Sequence, residues 1–350
     1  MIKVQKICML LGITLISVNL MGCKLREKSE YTEAAFSFVE ARQYEEALEA
    51  FSIAEEQGEE PQSIARGRGI AYAGLTQYEK AIESYLDALS YSDLSVDMVD
   101  YDLNYYLADA YEKIGNTDKA KAVYDDILTL KENEMNALFL RGKIYLQDGY
   151  YDLAIQDFEK TIALEKDAYD LRIEIAGLMS LAGYHEEGMA YLNSFLMENE
   201  KKLSDYDKGR IFFYMQDYEN AKLALEMAKG ENSEKVILLL GKTYEQLGDY
   251  NYATSVYKNY LAENTDAAEI YNQLGLCKLK SEEYEEALSA FKSAANVENN
   301  GMERTLLFNQ IVAHEYTGNF RQAYVLMEDY LKKYPEDEMA IREFEFLKTR

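Results

Sequence analysis

The sequence predicts an all-α solenoid of tandem helix–turn–helix repeats. Two observations carry this. A short phrase recurs with a period near 34 residues, and the 350 residues include only 2 prolines. Few prolines favour long uninterrupted helices, because proline lacks the amide donor and clashes with the preceding turn. No stretch is rich in Pro, Gly or Ser as a flexible linker would be.

The recurring phrase is an aromatic, two polar residues, a small residue, an apolar residue, and an aromatic or large apolar residue one turn on. It reads Tyr44-Glu45-Glu46-Ala47-Leu48 with Phe51, then Tyr78 to Ala81 with Tyr85, Ala120 with Tyr124, and Tyr151 to Ala154 with Phe158. It returns as Tyr218 to Ala221 with Leu225, Tyr250 to Ala253 with Tyr257, Tyr284 to Ala287 with Phe291, and Phe320 to Ala323 with Met327. Gly188 fills the small place in one degraded copy. From Ala47 to Ala323 the spacings are 34, 39, 34, 34, 33, 32, 34 and 36, which makes nine copies.

Upstream of each copy a small residue is followed three later by a mostly aromatic one: Gly69 and Tyr72, Ala108 and Tyr111, Gly142 and Tyr145, Gly241 and Tyr244. Between the two phrases often lies a glycine, as at Gly115, Gly149, Gly183, Gly248 and Gly318. Small residues let the two helices of a hairpin approach closely, aromatics fill the edges, and the glycine can take the left-handed conformation that ends a helix. Neighbouring hairpins then stack into a continuous core, since none can bury its apolar face alone.

This pattern resembles the tetratricopeptide repeat family over about residues 28 to 335. The resemblance implies a right-handed superhelical solenoid of about nine repeats, over approximately 28–61, 62–95, 101–134, 135–168, 169–201, 202–233, 234–267, 268–301 and 304–337. The array is expected within 30–335, with a capping helix in 336–350 that turns Met339, Ile341, Phe344 and Leu347 inward. The family's tryptophan-type site is loosely kept, from Tyr31 and Ala65 to Asp205 and Leu307, and its closing proline survives only as Pro335. Polar turns such as Lys131-Glu132-Asn133 and Glu298-Asn299-Asn300 replace it. The spacing of 39 places about five extra residues in a surface loop near Ser90 to Asp97. Gly177, Gly183 and Gly188, with a short first helix in the sixth repeat, predict a softer joint around 177–215.

The first thirty residues read differently. Lys3 and Lys6 precede an almost continuously apolar run from Ile7 to Met21, the length of a signal-peptide core and short for a membrane span. It ends in Leu20-Met21-Gly22-Cys23, which resembles the lipobox of bacterial lipoproteins. That resemblance implies removal of 1–22, a diacylglycerol on the Cys23 sulfur, and a tether over 23–29. Lys24, Arg26 and Lys28 are either contacts for anionic headgroups, at about 1 kcal/mol each, or ordinary solvated residues. Of the other cysteines, Cys8 lies in the leader. Cys277 is alone in the body and follows Leu274-Gly275, as a small core residue would.

The net charge of −26, about −28 without the leader, makes nucleic acid a poor partner. The acid reads as a solvated, self-repelling outer surface, with a dock for basic peptides or cations as the sharper alternative. No catalyst stands out. His185 and His314 are the only histidines, and there is no metal-spaced His/Cys cluster and no phosphate loop. Asp97, Asp100 and Asp102 are crowded but lack the glycine and terminal glutamate of a calcium loop. The expectation is a non-enzyme without cofactor or metal.

In tetratricopeptide arrays partners commonly lie along a concave groove lined by the first helices. Register places Arg66, Tyr105, Phe139, Lys143, Tyr206, Arg210, Phe213, Lys242 and Leu276 there, with Lys143, Arg210 and Lys242 equivalent in three repeats. Aromatics mixed with cations suit an extended protein or peptide segment with acidic side chains and a few apolar anchors. The alternative is that these cations pair with nearby glutamates. The expected function is a membrane-anchored protein-interaction scaffold on the extracytoplasmic side, accessory to an envelope assembly, secretion or cell-wall complex. It would sit on the outer face of a single membrane or the periplasmic side of an outer membrane. The alternative is a lipoprotein capturing glycan on the groove's aromatics, against which stands the lack of a large insertion.

Overall fold

The structure, a computed structural model, describes residues 29–92, 98–165 and 168–350. The leader, the lipobox with Cys23, the basic residues Lys24, Arg26 and Lys28, and Asp97 lie outside the described residues. Among the described residues there are 19 α-helices, one 3-10 turn and no strand. The chain forms two compact units, residues 1–171 with 181–183, and residues 172–180 with 184–350.

The described part of the first unit holds four helix pairs. These are α1 (Glu30–Glu40) with α2 (Tyr44–Glu56), α3 (Pro61–Gly74) with α4 (Tyr78–Ser90), α5 (Met98–Lys113) with α6 (Thr117–Leu130), and α7 (Met135–Gln147) with α8 (Tyr151–Leu164). The chain passes from one unit to the other within α9 (Tyr169–Leu181). The second unit continues with α10 (His185–Asn199), then α11 (Asp205–Tyr214) with α12 (Tyr218–Ala228), and α13 (Glu234–Gln246) with α14 (Tyr250–Leu261). It ends with α15 (Ala268–Lys280) and α16 (Tyr284–Ala295), α17 (Glu303–Tyr316) and α18 (Phe320–Lys333), and a lone α19 (Glu338–Leu347). Within each unit the two helices of a pair pack together, each pair packs on the next, and first helices of successive pairs touch.

The recurring phrase is the core. Ala47, Ala81, Ala120, Ala154, Ala221, Ala253, Ala287 and Ala323 are all fully buried, as are Phe51, Phe158, Tyr257 and Phe291 one turn on. The two phrases lock into each other. A Cβ on Gly241 would lie 2.1 Å from the Tyr257 ring, one on Gly275 2.4 Å from Phe291, and one on Gly69 2.3 Å from Tyr85. The glycine of the first helix is therefore the seat of the large ring on the second. In the last pair Ile311 stands at the glycine's place and Met327 at the ring's, both buried. A branched side chain and a flexible thioether fill what hydrogen and a ring fill elsewhere.

Between the paired helices, Gly248 has φ +80°, the left-handed turn that lets the Asp249 N–H reach back to the Tyr244 carbonyl at 2.9 Å. At the equivalent turns Arg42, Thr76, Gln216 and Glu282 take φ between 58° and 61° without being glycine. Packing of the two helices holds them there against a local steric cost of about 1–2 kcal/mol. Asn116, Asp217, Asp249 and Asn319 cap the following helix by accepting the backbone N–H three residues on.

Ser90 closes α4 and Met98 opens α5, which at 16 residues is the longest described helix, and the loop expected near Ser90 to Asp97 falls mostly on residues 93–97, outside the described residues. One local reading changes. On α19 the residues turned inward are Ala340, Phe344 and Leu347, whereas Met339 is 71% exposed and Ile341 41%. Ala340 is fully buried in one cluster with Ala323, Met327 and Tyr330 of α18. Cys277 is fully buried beside Thr254 Oγ1, and burial pushes its thiol above the ordinary value.

Candidate partner-binding surfaces

The candidate residues lie on the first helices of the pairs, and each unit presents its own set. In the first unit the Arg66 guanidinium on α3 sits 5.7 Å from the Phe36 ring of α1 and 6.0 Å from the Tyr106 ring of α5. Asp102, also on α5, is 4.0 Å away and largely exposed, and Arg66 Nε is buried with no acceptor. Arg66 thus spans three successive first helices, clamped by rings and with donors to spare. Tyr105 and Phe139 are half-buried, and each ring leans on the core aromatic of its own pair, Tyr124 at 6.2 Å and Phe158 at 5.7 Å. Burial, then the Glu134 carboxylate, push the Tyr105 phenol up. Lys143 Nζ donates to Glu112 at 3.1 Å, and Tyr124 donates to the other oxygen of the same carboxylate at 3.1 Å.

In the second unit the Arg210 guanidinium lies 5.5 Å from the Tyr206 ring and 3.5 Å from Asp207. Phe213 turns its ring toward Tyr218 of its own pair, edge to face at 5.5 Å. Leu276 packs against the buried cluster of Ala287, Leu288, Phe291 and Ala313. Lys242 is half-buried, and among the described residues no carboxylate lies within 4.0 Å of it. Lys143, Arg210 and Lys242 therefore share a register but not an environment. The first two are engaged by carboxylates, and the third keeps its ammonium donors.

Sequence reasoning passed over the carboxylates of this face. Glu245, only 5% exposed, accepts from Tyr257 Oη at 2.8 Å, from Gln273 Nε2 at 2.9 Å and from Lys280 Nζ at 3.2 Å. Its charge and burial push the Tyr257 phenol far up, burial being the larger cause. Glu112 and Glu245 each stand four residues after the small residue of the first helix and twelve before the core tyrosine. That spacing is a usable signal, hidden by the abundance of acid. Asn309 Nδ2 on α17 donates to the buried Asn272 Oδ1 on α15 at 2.8 Å, a side-chain bridge of the same kind.

Among the described residues no group of three or more His, Cys, Asp or Glu side chains could hold a metal ion. His185 opens α10 with Nδ1 3.2 Å from Ser180 Oγ, and His314 is buried, its pKa lowered by burial first and by Lys292 second.

Comparison with known proteins agrees with the repeat architecture. A tetratricopeptide repeat family profile matches residues 32–94, 105–170 and 238–301. Among curated proteins the chain is 22% identical over 220 residues to BBSome complex member BBS4 of Bos taurus, covering 63% of this chain and 35% of that one. It is 27% identical over 171 residues to the DnaJ protein P58IPK homolog B of Oryza sativa subsp. japonica, covering 48% and 33%. The chain spans about a third of the length of these relatives. A crystal structure of a tetratricopeptide repeat protein from Parabacteroides merdae aligns at 21% identity and a TM-score of 0.42, covering 82% of this chain and 99% of that one. With more than half of its residues matched by the family profile, and with paired helices interlocked through glycine and ring, the chain belongs to the tetratricopeptide repeat family, whose arrays generally serve protein–protein interaction.

Proposed function

We propose that the protein is a membrane-anchored scaffold that holds an extended, acidic segment of a partner protein outside the cytoplasm, tethered by lipid on Cys23. Two separate observations support the partner's chemistry, Arg66 in the first unit and Lys242 in the second. In a chain of net charge −26, the Arg66 guanidinium is held between the Phe36 and Tyr106 rings on a first-helix face, and Lys242 has no carboxylate within 4.0 Å among the described residues. Acidic side chains supply the acceptors, and rings such as Tyr206 and Phe36 supply apolar contact. Nucleic acid is disfavoured, because the surrounding acid repels a long phosphate backbone.

The tether reading rests on Lys3 and Lys6, the apolar run to Met21, and Gly22 directly before Cys23. No described helix is long and apolar enough to cross a membrane. The location that goes with such an anchor is the outer face of the cytoplasmic membrane in a single-membrane cell, or the periplasmic side of an outer membrane. There the scaffold serves an envelope assembly, secretion or cell-wall complex.

Two measurements test the reading. Radiolabelled palmitate is expected to enter the wild-type protein and not Cys23→Ala, and equal labelling rejects the anchor. Crosslinking in native membranes is expected to yield a partner that is lost when Arg66 and Lys242 are reversed to glutamate. A partner set unchanged by the reversals rejects the basic surface.

A further inference from the structure

The carboxylate site at Glu245 has a counterpart at the end of the second unit in which every donor has been replaced. Glu245 is satisfied by residues 12, 28 and 35 positions later, Tyr257, Gln273 and Lys280. Glu315 on α17 occupies the same repeat position. At the same offsets stand Met327, Glu343 and Arg350. Met327 brings no hydroxyl, and Ile311 opposite it excludes the ring that would carry one. Arg350, in the place of Lys280, lays its guanidinium over the Phe346 ring at 4.7 Å and the Phe320 ring at 5.7 Å. Glu343, in the place of Gln273, brings a second carboxyl where the amide donor stood. Glu315 Oε1 is buried with no donor, while the Glu343 carboxyl lies within hydrogen-bonding reach. Two carboxylates can form that bond only if one of them carries a proton.

We propose that Glu315 and Glu343 form a proton-dependent latch that fastens the capping helix α19 to the last repeat, closed when Glu315 carries a proton it can donate to Glu343 and loosened when Glu315 ionises. The other charged groups around Glu315 are occupied elsewhere. His314, its neighbour on α17, faces Glu285 and Lys292 of α16. On α18 Tyr324 donates to Glu328, and beyond α19 Lys348 pairs with Glu345. Apart from the pair, α19 is held by apolar contacts through Ala340, Leu347 and the Tyr324–Phe344 stack at 5.0 Å, and by its capping residue Asp337, which accepts from Tyr330 Oη and Arg304 Nη2, both at 2.7 Å. Those donors hold the Asp337 carboxyl down to about 2, so it stays ionised from pH 5 to pH 8.

Burial, and the Glu343 charge after it, push the Glu315 carboxyl up to about 7 from an ordinary 4.5. A folded-state value raised above the unfolded one means the folded protein binds the extra proton. The latch stabilises fully below pH 4.5 and loses its contribution as pH rises through about 7.

The test is amide hydrogen exchange on the full chain from pH 5 to pH 8, corrected for intrinsic rates, with the α14 amides as internal reference. The protection of α19 relative to α14 is expected to fall at least about tenfold, one tenfold step corresponding to one pH unit. Glu343→Gln restores the amide donor found at Gln273, and Glu315→Gln removes the buried charge. Both are expected to flatten the profile. A flat wild-type profile overturns the proposal, and so does either variant that keeps the wild-type fall.

Discussion

At the scale of single residues, charge is spent in pairs that bridge helices. Arg141 on α7 shows the strongest case. Its guanidinium donates twice to Asp157 on α8, at 2.8 Å for both bonds, and once to Asp125 on α6 at 2.6 Å. The Asp157 side chain is only 4% exposed. Replacing Arg141 with alanine strands that carboxylate, and about 3–5 kcal/mol of stability should be lost, because the uncompensated buried charge costs more than the pair returned. Urea unfolding checks this. The double replacement Arg141→Met with Asp157→Leu should cost clearly less than the single change, and equal losses would show that Asp157 finds other partners. Neither residue was legible as special in the sequence. Both are ordinary members of a set of 37 basic and 63 acidic residues, and only three helices brought together select them.

At the scale of the helix pair, the governing contact is the ring of the second helix seated on the glycine of the first. Gly241→Ala puts a methyl 2.1 Å from the Tyr257 ring, whose far end is itself tied to Glu245 at 2.8 Å. The ring cannot retreat without breaking that bond. A loss of about 1–3 kcal/mol is expected, the range for overpacking a filled core. A melting temperature unchanged from wild type would mean that the pair can open by the needed distance. This contact was half visible beforehand. The recurrence of small residue and aromatic identified the partners, but the ring lies directly over the glycine rather than at the edges of the hairpin. The turns were visible where glycine marks them, as at Gly248, and invisible at Thr76 and Arg42, where helix packing imposes a conformation the residue itself disfavours.

At the scale of the whole chain, stability is a sum of local pair and neighbour contacts, so weakness in one pair stays local. The segment from 177 to 215 collects several weaknesses. Gly188 stands where alanine stands elsewhere, α11 has only 10 residues, and Leu181 is 87% exposed and Met197 72%. Amides in 177–215 should therefore exchange faster than those in the third and fourth pairs, α5 to α8. Equal protection in the two regions would sink the idea of a softer segment. The chain first passes between its two compact units at 171/172, just before this stretch, and crosses again between 180 and 184, within it.

Helix content, the repeat and the core were determined by the sequence alone, because each depends on residues within about 34 positions and on side-chain size, which a linear pattern displays directly. The turn glycines and the side-chain helix caps are local in the same sense. Tertiary structure alone decided which charges are free. Lys143 and Lys242 are indistinguishable in register, yet Lys143 meets Glu112, 31 residues away, at 3.1 Å, and Lys242 meets no carboxylate among the described residues. Likewise Glu245 and Glu315 read alike, and only the helices packed beside them make one a satisfied acceptor and the other a carboxyl in need of a proton. The physical reason is the same in both cases. A buried charge is set by what surrounds it within a few ångströms, and in a stacked array those surroundings come from the next repeat.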